Sequence, residues 1–265
     1  MMYFGFDDIT AGYGKKSVLQ NLSIDVPRGS FVTLIGQNGC GKSTLLKTVT
    51  RTVIPTSGRV ILEDRCISEY PKKKLARKIA YLVQTHVSPP DIDVRTLVSY
   101  GRYPYMRFGR SLTREDNDII DRALAVTGLC QLKSRAVATL SGGELQRARI
   151  AMTVAQQAEI LILDEPTTHL DIGYRIEVLE LLKKLNRTMN ITVLMALHDL
   201  DLAARYSDIL YIIKDGGVYA SGTPDYVITK NNLRDVFGIE ARILRDAEHD
   251  CPYFIPNRLT KGDAQ

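Results

Sequence analysis

Glycines, a lysine and a hydroxyl stand at phosphate-cradling spacing in Gly36-Gln37-Asn38-Gly39-Cys40-Gly41-Lys42-Ser43-Thr44. Glycines let backbone N–H groups turn inward and approach phosphate oxygens. Lys42 is placed to reach the β- and γ-phosphates, and the Ser43 hydroxyl to ligate Mg²⁺. A second group follows the apolar run Ile160-Leu161-Ile162-Leu163, which ends at Asp164-Glu165-Pro166. A buried strand there delivers Asp164 to its carboxyl end, where ligands sit in parallel sheets. Asp164 can hold Mg²⁺, and Glu165 can orient or deprotonate a water aimed at the γ-phosphate. Without the phosphate loop this pair would read as an acidic turn after a core strand. With it, the two carboxylates point to hydrolysis.

A third group is Leu140-Ser141-Gly142-Gly143-Glu144-Leu145-Gln146-Arg147. Ser141 and Glu144 have capping-box spacing, which is a sufficient structural reason for both. The cap leaves Gly142 and Gly143 unexplained, because a helical glycine costs up to ~1 kcal/mol relative to alanine. Bare glycines at a positive helix end admit an anion to the backbone.

The elements that must position these groups alternate. Tyr3 to Ile9, Val18 to Val26 and Phe31 to Ile35 read as strands, and Lys42 to Thr50 as a helix. Arg59 to Glu63 and Ile79 to Val83 read as further strands. Arg114 to Thr127 has helical spacing with Thr113 as its cap. Ile172 to Leu185 reads as a helix and Ile191 to Leu197 as a strand ending at His198. Asp208 to Lys214 and Val218 to Ser221 flank a Gly216-Gly217 hairpin turn. Strands alternating with helices predict an α/β fold with a parallel sheet, into which a mostly helical middle is inserted.

Composition is ordinary for a globular chain: 265 residues, 45% apolar, 25% charged, net charge +5. Basic residues are scattered, and the densest run, Lys72-Lys73-Lys74, reads as a solvated face rather than a nucleic-acid patch. Cys40, Cys66, Cys130 and Cys251 lack disulfide or zinc spacing, which fits a reducing compartment. No signal peptide is indicated, and no apolar stretch approaches the ~20 residues of a membrane helix. A membrane role must therefore come through a partner.

The order of the phosphate loop, Leu140 to Gln146, Ile160 to Glu165 and His198 resembles that of the ATP-binding subunits of ABC transporters. The resemblance covers about residues 2–240. It implies a P-loop NTPase fold with a parallel sheet core, an antiparallel β subdomain and a helical subdomain inserted at about residues 88–157. Residues 241–265 lie beyond it as a short C-terminal extension, either packed on the domain or contacting partners.

The resemblance also implies a head-to-tail homodimer, in which Ser141, Gly142, Gly143 and Glu144 of one subunit close over ATP held by the other. Tyr13 resembles the aromatic that stacks on adenine. Gln84 resembles the glutamine that touches Mg²⁺ and the attacking water, beside Ser43 and Asp164. Thr168-His169-Leu170-Asp171 resembles a loop crossing the dimer interface, with Asp171 as its carboxylate. His198 resembles the histidine that contacts the γ-phosphate; His86 and His249 keep an ordinary reading. Gln37 departs from the family where proline is frequent, and Glu144 where it has glutamine.

Expected partners are integral membrane permease subunits and, indirectly, a substrate-binding protein, with no nucleic acid. The expected place is the cytoplasmic face of the cell membrane. Tyr100-Gly101-Arg102-Tyr103-Pro104-Tyr105 and Ala196 to Tyr206 are similar to ATPases that import iron–siderophore complexes, and more widely haem and cobalamin. Tyr100 to Tyr105 also reads as an aromatic loop packed on the helical insert. A soluble ABC ATPase of DNA repair or translation would fuse two units or carry a long coiled coil. The interval from Lys42 to Ser141 has no heptad run.

Overall fold

Phe31–Ile35 is buried at every position, as a strand covered on both faces must be. It belongs to a computed structural model that describes residues 2–83, 92–106 and 111–260. Gln84 lies outside the described residues.

The chain opens with β1 (Phe4–Tyr13), β2 (Lys16–Val26), β3 (Phe31–Ile35), α1 (Lys42–Val49), β4 (Ser57–Leu62) and β5 (Arg65–Cys66). The middle holds α2 (Lys72–Lys78), β6 (Ile79–Leu82), α3 (Val94–Ser99), α4 (Arg114–Val126), α5 (Gly142–Ala155), β7 (Ile160–Asp164) and α6 (Ile172–Met189). It closes with β8 (Thr192–Ala196), α7 (Leu200–Tyr206), β9 (Ile209–Lys214), β10 (Gly217–Gly222), α8 (Pro224–Val227), α9 (Lys230–Phe237), β11 (Ile239–Asp246) and β12 (Cys251–Leu259). Two compact units result: Met1–Glu69 with Leu194–Gln265, and Tyr70–Val193.

In the first unit β2, β1, β4 and β5 form an antiparallel sheet in that order. Alternating burial along β2 puts Leu22, Ile24 and Val26 inward. Phe4 and Phe6 are fully buried, their rings edge-on at 5.7 Å. β3 pairs in parallel with β9, from Val32 opposite Ile209 to Ile35 opposite Ile212. The Leu197 N–H, just past β8, donates to Leu34 O at 3.0 Å. That bond fixes His198 beside the end of β3. β9 and β10 form the expected hairpin.

β11 and β12 pair antiparallel, from Ile239 opposite Leu259 to Asp246 opposite Cys251. The Phe254 N–H donates to Asp201 Oδ1 at 3.1 Å, tying this hairpin to α7. β11 and β12 thus form a hairpin, turning at residues 247–250, that packs on its own unit.

In the second unit β6 pairs in parallel with β7, from Ile79 opposite Ile160 to Leu82 opposite Leu163. α3, α4 and α5 pack on one another. Thr113 caps α4 in a capping box with Asp116. Asp116 is buried and carries a second duty. Its Oδ1 accepts from Arg102 Nε at 2.8 Å, and Arg102 Nη1 donates to Ala155 O and Gln157 Oε1, both at 2.9 Å. The Arg102 guanidinium stands 3.9 Å from the Tyr105 ring centroid. One buried cation therefore holds the start of α4, the end of α5 and the 100–106 segment.

Candidate nucleotide-binding and catalytic residues

The phosphate loop begins where β3 ends. Gly36 has φ 151°, and a Cβ there would lie 2.3 Å from Ile213 O. No side chain fits, so glycine is what lets the loop run against β9. Gln37, Asn38 and Gly39 form an exposed crest, while Lys42 is only 5% exposed. Lys42 Nζ donates to Gly36 O at 2.8 Å and Gln37 O at 3.1 Å, with Cys40 Sγ at 3.7 Å. Among the described residues no carboxylate pairs with it. A buried ammonium held only by dipoles leaves the loop with net positive charge. The N-cap of α1 is Gly41, which makes no side-chain cap. No side chain caps this helix start, and its positive dipole end attracts an anion. This donor set fits a polyphosphate. Ser43 follows Lys42 in the first turn of α1, and Thr44 is buried.

Tyr13 closes β1 and is 52% exposed, opposite Lys16. His198, two residues past the end of β8, is exposed. Asp199 caps α7 by accepting from Leu202 N at 3.0 Å, which sets the turn that carries His198.

In the second unit Asp164 closes β7 and is 5% exposed. Glu165 follows with φ 53°, in the left-handed region, a conformation that costs a non-glycine residue of order 1 kcal/mol. Thr168 Oγ1 donates to Glu165 Oε2 at 3.0 Å and helps hold it there.

Ser141 caps α5 as its spacing predicts: Ser141 N donates to Glu144 Oε2 at 2.8 Å, and Glu144 N to Ser141 Oγ at 3.3 Å. The Ser141 N–H bond outweighs desolvation and, with Arg135 and Arg147, holds the Glu144 carboxyl below its ordinary value. The two glycines divide. Gly142 is exposed, whereas Gly143 is buried, and a Cβ on it would lie 2.3 Å from Cδ1 of the Tyr174 ring. Gly143 thus has a packing reason that sequence reasoning missed. Tyr174 lies on α6, and a contact between two helices leaves no mark in local spacing. Gly143→Ala is expected to lower stability by about 1–3 kcal/mol through overpacking. The loss should vanish in a Tyr174→Ala background, read by thermal melting of the double-mutant cycle.

Gly142, Gln146, Arg149, Asp164, Glu165 and Thr168 line one concavity of about 160 Å³. Burial pulls the Arg149 guanidinium below its ordinary value. Arg149 is a further charged group at this site that sequence reasoning missed, since nothing in its spacing separates it from Arg147. Asp171 is the exposed N-cap of α6 and makes no side-chain cap of its own.

The segment Tyr100 to Tyr105 is mainly a packing element. A Cβ on Gly101 would lie 2.1 Å from Met152 O on α5, and Arg102 is buried as described. Tyr103 stacks on Tyr100 with centroids 5.2 Å apart and is 57% exposed.

The architecture is that of a P-loop NTPase of the ABC ATPase type. A family profile described as ABC transporter matches residues 19–168. Among curated proteins, the chain is 42% identical to the probable siderophore transport system ATP-binding protein YusV of Bacillus subtilis (strain 168), over 95% of this chain and 91% of that one. It is 41% identical to the ferric enterobactin transport ATP-binding protein FepC of Escherichia coli (strain K12), over 94% of this chain and 92% of that one. Among solved structures, a dimeric post-hydrolysis state of the ATP-binding cassette MJ0796, bound to ADP and Pi, is similar with TM-score 0.70 and 26% identity, over 83% of this chain and 98% of that one. The chain belongs to the ABC transporter family. It is an ATPase of that family.

Proposed function

We propose that the chain energises import of a ferric siderophore through separate membrane permease subunits. The observation that carries this reading is near-full-length identity of 41–42% to ATP-binding proteins whose names specify siderophore transport and ferric enterobactin transport. Among the described residues no helix is long and apolar enough to cross a membrane, which accords with a peripheral subunit held by a permease at the cytoplasmic face.

In this reading the Gly36 to Thr44 loop binds the phosphates, Tyr13 stacks on adenine, and Lys42 meets the β- and γ-phosphates. Mg²⁺, which neutralises phosphate charge when bound, would be held by Ser43 and Asp164 with Gln84. Glu165 takes the proton of the attacking water or orients it, His198 contacts the γ-phosphate, and Gln84 assists the water. Ser141, Gly142, Gly143 and Glu144 serve the ATP of a second copy, and Asp171 lies at that interface. ATP joins two copies and hydrolysis releases them, so the permease follows the cycle. A substrate-binding protein acts upstream, without touching this chain.

Deletion of the gene is expected to abolish uptake of a ferric siderophore. Loss of haem or cobalamin uptake alone would overturn the substrate class. The dimer has its own test. Ser141→Arg and Lys42→Ala are each expected to be inactive, and their mixture to regain at most one working composite site per dimer. A mixture turning over at the wild-type rate would sink the two-copy arrangement.

A further inference from the structure

Gln37 does more than lend its backbone to the loop. Its Nε2 donates to Val236 O at 2.6 Å. Val236 is 3% exposed and sits in the last turn of α9. The last carbonyls of a helix have no partner inside it and must find one elsewhere. Three carbonyls near the end of α9 are met in turn. Gly238, with φ 68°, donates its N–H to Arg234 O at 3.0 Å. Lys214 Nζ donates to Asp235 O at 2.9 Å. The Gln37 amide takes Val236 O.

The backbone of the same glutamine faces the other way, since Gln37 O accepts from Lys42 Nζ at 3.1 Å. Past Gly238 the chain enters β11, and Thr260 N closes the hairpin onto Gly238 O at 2.8 Å. One residue thus connects the buried lysine to the end of α9 and to the C-terminal hairpin. Proline, frequent at this position in the resembling family, has no amide to donate.

We propose that Gln37 is a positioning residue that couples the phosphate loop to α9 and the C-terminal hairpin, so that the C-terminal segment tunes the affinity for ATP. This rests on the ATP-binding reading above. Holding the crest of the loop from outside fixes where its N–H groups and Lys42 point before the phosphates arrive. The coupling therefore acts on binding and leaves the chemical step alone.

Gln37→Met keeps the volume and removes the donor. It is expected to raise KM for ATP about 3–10-fold, the worth of one hydrogen bond, with kcat within about twofold. Gly238→Ala perturbs the link from its other end. Its Cβ would meet only Thr260 Oγ1, at 3.5 Å, so the cost is backbone strain at φ 68°. It should raise KM in the wild-type background and add nothing in the Gln37→Met background. An unchanged KM in Gln37→Met, or an equal effect of Gly238→Ala in both backgrounds, would overturn the coupling. A ligand-free readout separates this from the ATP reading. Amide exchange of residues 36–42 in nucleotide-free protein should quicken in both variants. Unchanged exchange overturns the proposal. Quickened exchange in a chain that binds no ATP would instead overturn the proposed function and leave the link standing.

Discussion

Glu165→Gln is expected to bind ATP as the wild type does and to hydrolyse it at least about 100-fold more slowly. The amide has nearly the carboxylate's shape. It keeps an oxygen for the Thr168 hydroxyl, which stands 3.0 Å from Glu165 Oε2. The left-handed turn at φ 53° depends on the backbone and survives the change. What disappears is the negative charge and the basic lone pair that the proposed role directs at water. Binding and catalysis should then part company. Nucleotide titration would match wild type, while single-turnover hydrolysis would collapse. On gel filtration with ATP, the variant should run as a lasting dimer, because the step that separates the copies is blocked. Hydrolysis near the wild-type rate would remove Glu165 from its proposed role.

Arg102→Met should unfold the second unit more easily by about 3–5 kcal/mol, the usual cost of stranding a buried charge. The side chains of the pair are only 5% and 11% exposed. Methionine leaves Asp116 its Thr113 bonds but deprives it of its cation. It also strips Ala155 O and the Gln157 amide of their donor. A domain of this size would lose roughly 6–20 °C in Tm.

The pH dependence has a defined sign. Burial by itself raises the Asp116 carboxyl, but the Thr113 N–H, Arg102 and the Thr113 hydroxyl together hold it below its ordinary value. A depressed carboxyl stabilises the fold above its unfolded value and loses that contribution as pH falls through the folded one. The wild type should therefore weaken in acid below about pH 4, and the gap to Arg102→Met should narrow there. Melting both proteins from pH 7 to pH 3 checks this; a constant gap would mean that Asp116 does not carry the effect. Arg102→Met with Asp116→Leu should recover part of the loss, short of the α4 cap.

Much of this architecture was legible in residue order. The runs Phe31 to Ile35 and Ile160 to Leu163 are apolar at every step, so burial on both faces left little choice but a core strand. Ser141 with Glu144 predicted a capping box by spacing alone, because both partners lie within one turn. Contacts between distant segments were not legible. Residue order gave Gly143 only an anion-binding reason; the packing reason comes from Tyr174, thirty-one positions on in the chain, whose ring fills the space a Cβ would take. The hairpin of β11 and β12 was not legible, since β12 is exposed over its last five positions and shows no clean alternation. Gln37 read only as a departure from proline, because its partner, Val236, lies on an element that the loop meets only after folding.

The Tyr100 to Tyr105 segment bears on how lineage is read from sequence. Gly101 is required by a neighbouring carbonyl, Arg102 by a buried carboxylate, and Tyr105 sits against two guanidiniums, 3.9 and 4.8 Å away. Selection on any of these would act through folding, whatever cargo the transporter carries. Two homologues can agree at these positions and differ in what they move. Tyr103, stacked and outward, is free to drift without disturbing the interior. Cargo-specific divergence should therefore be sought at Tyr103, while the buried members of the segment chart only a common ancestor's way of pinning two helix ends.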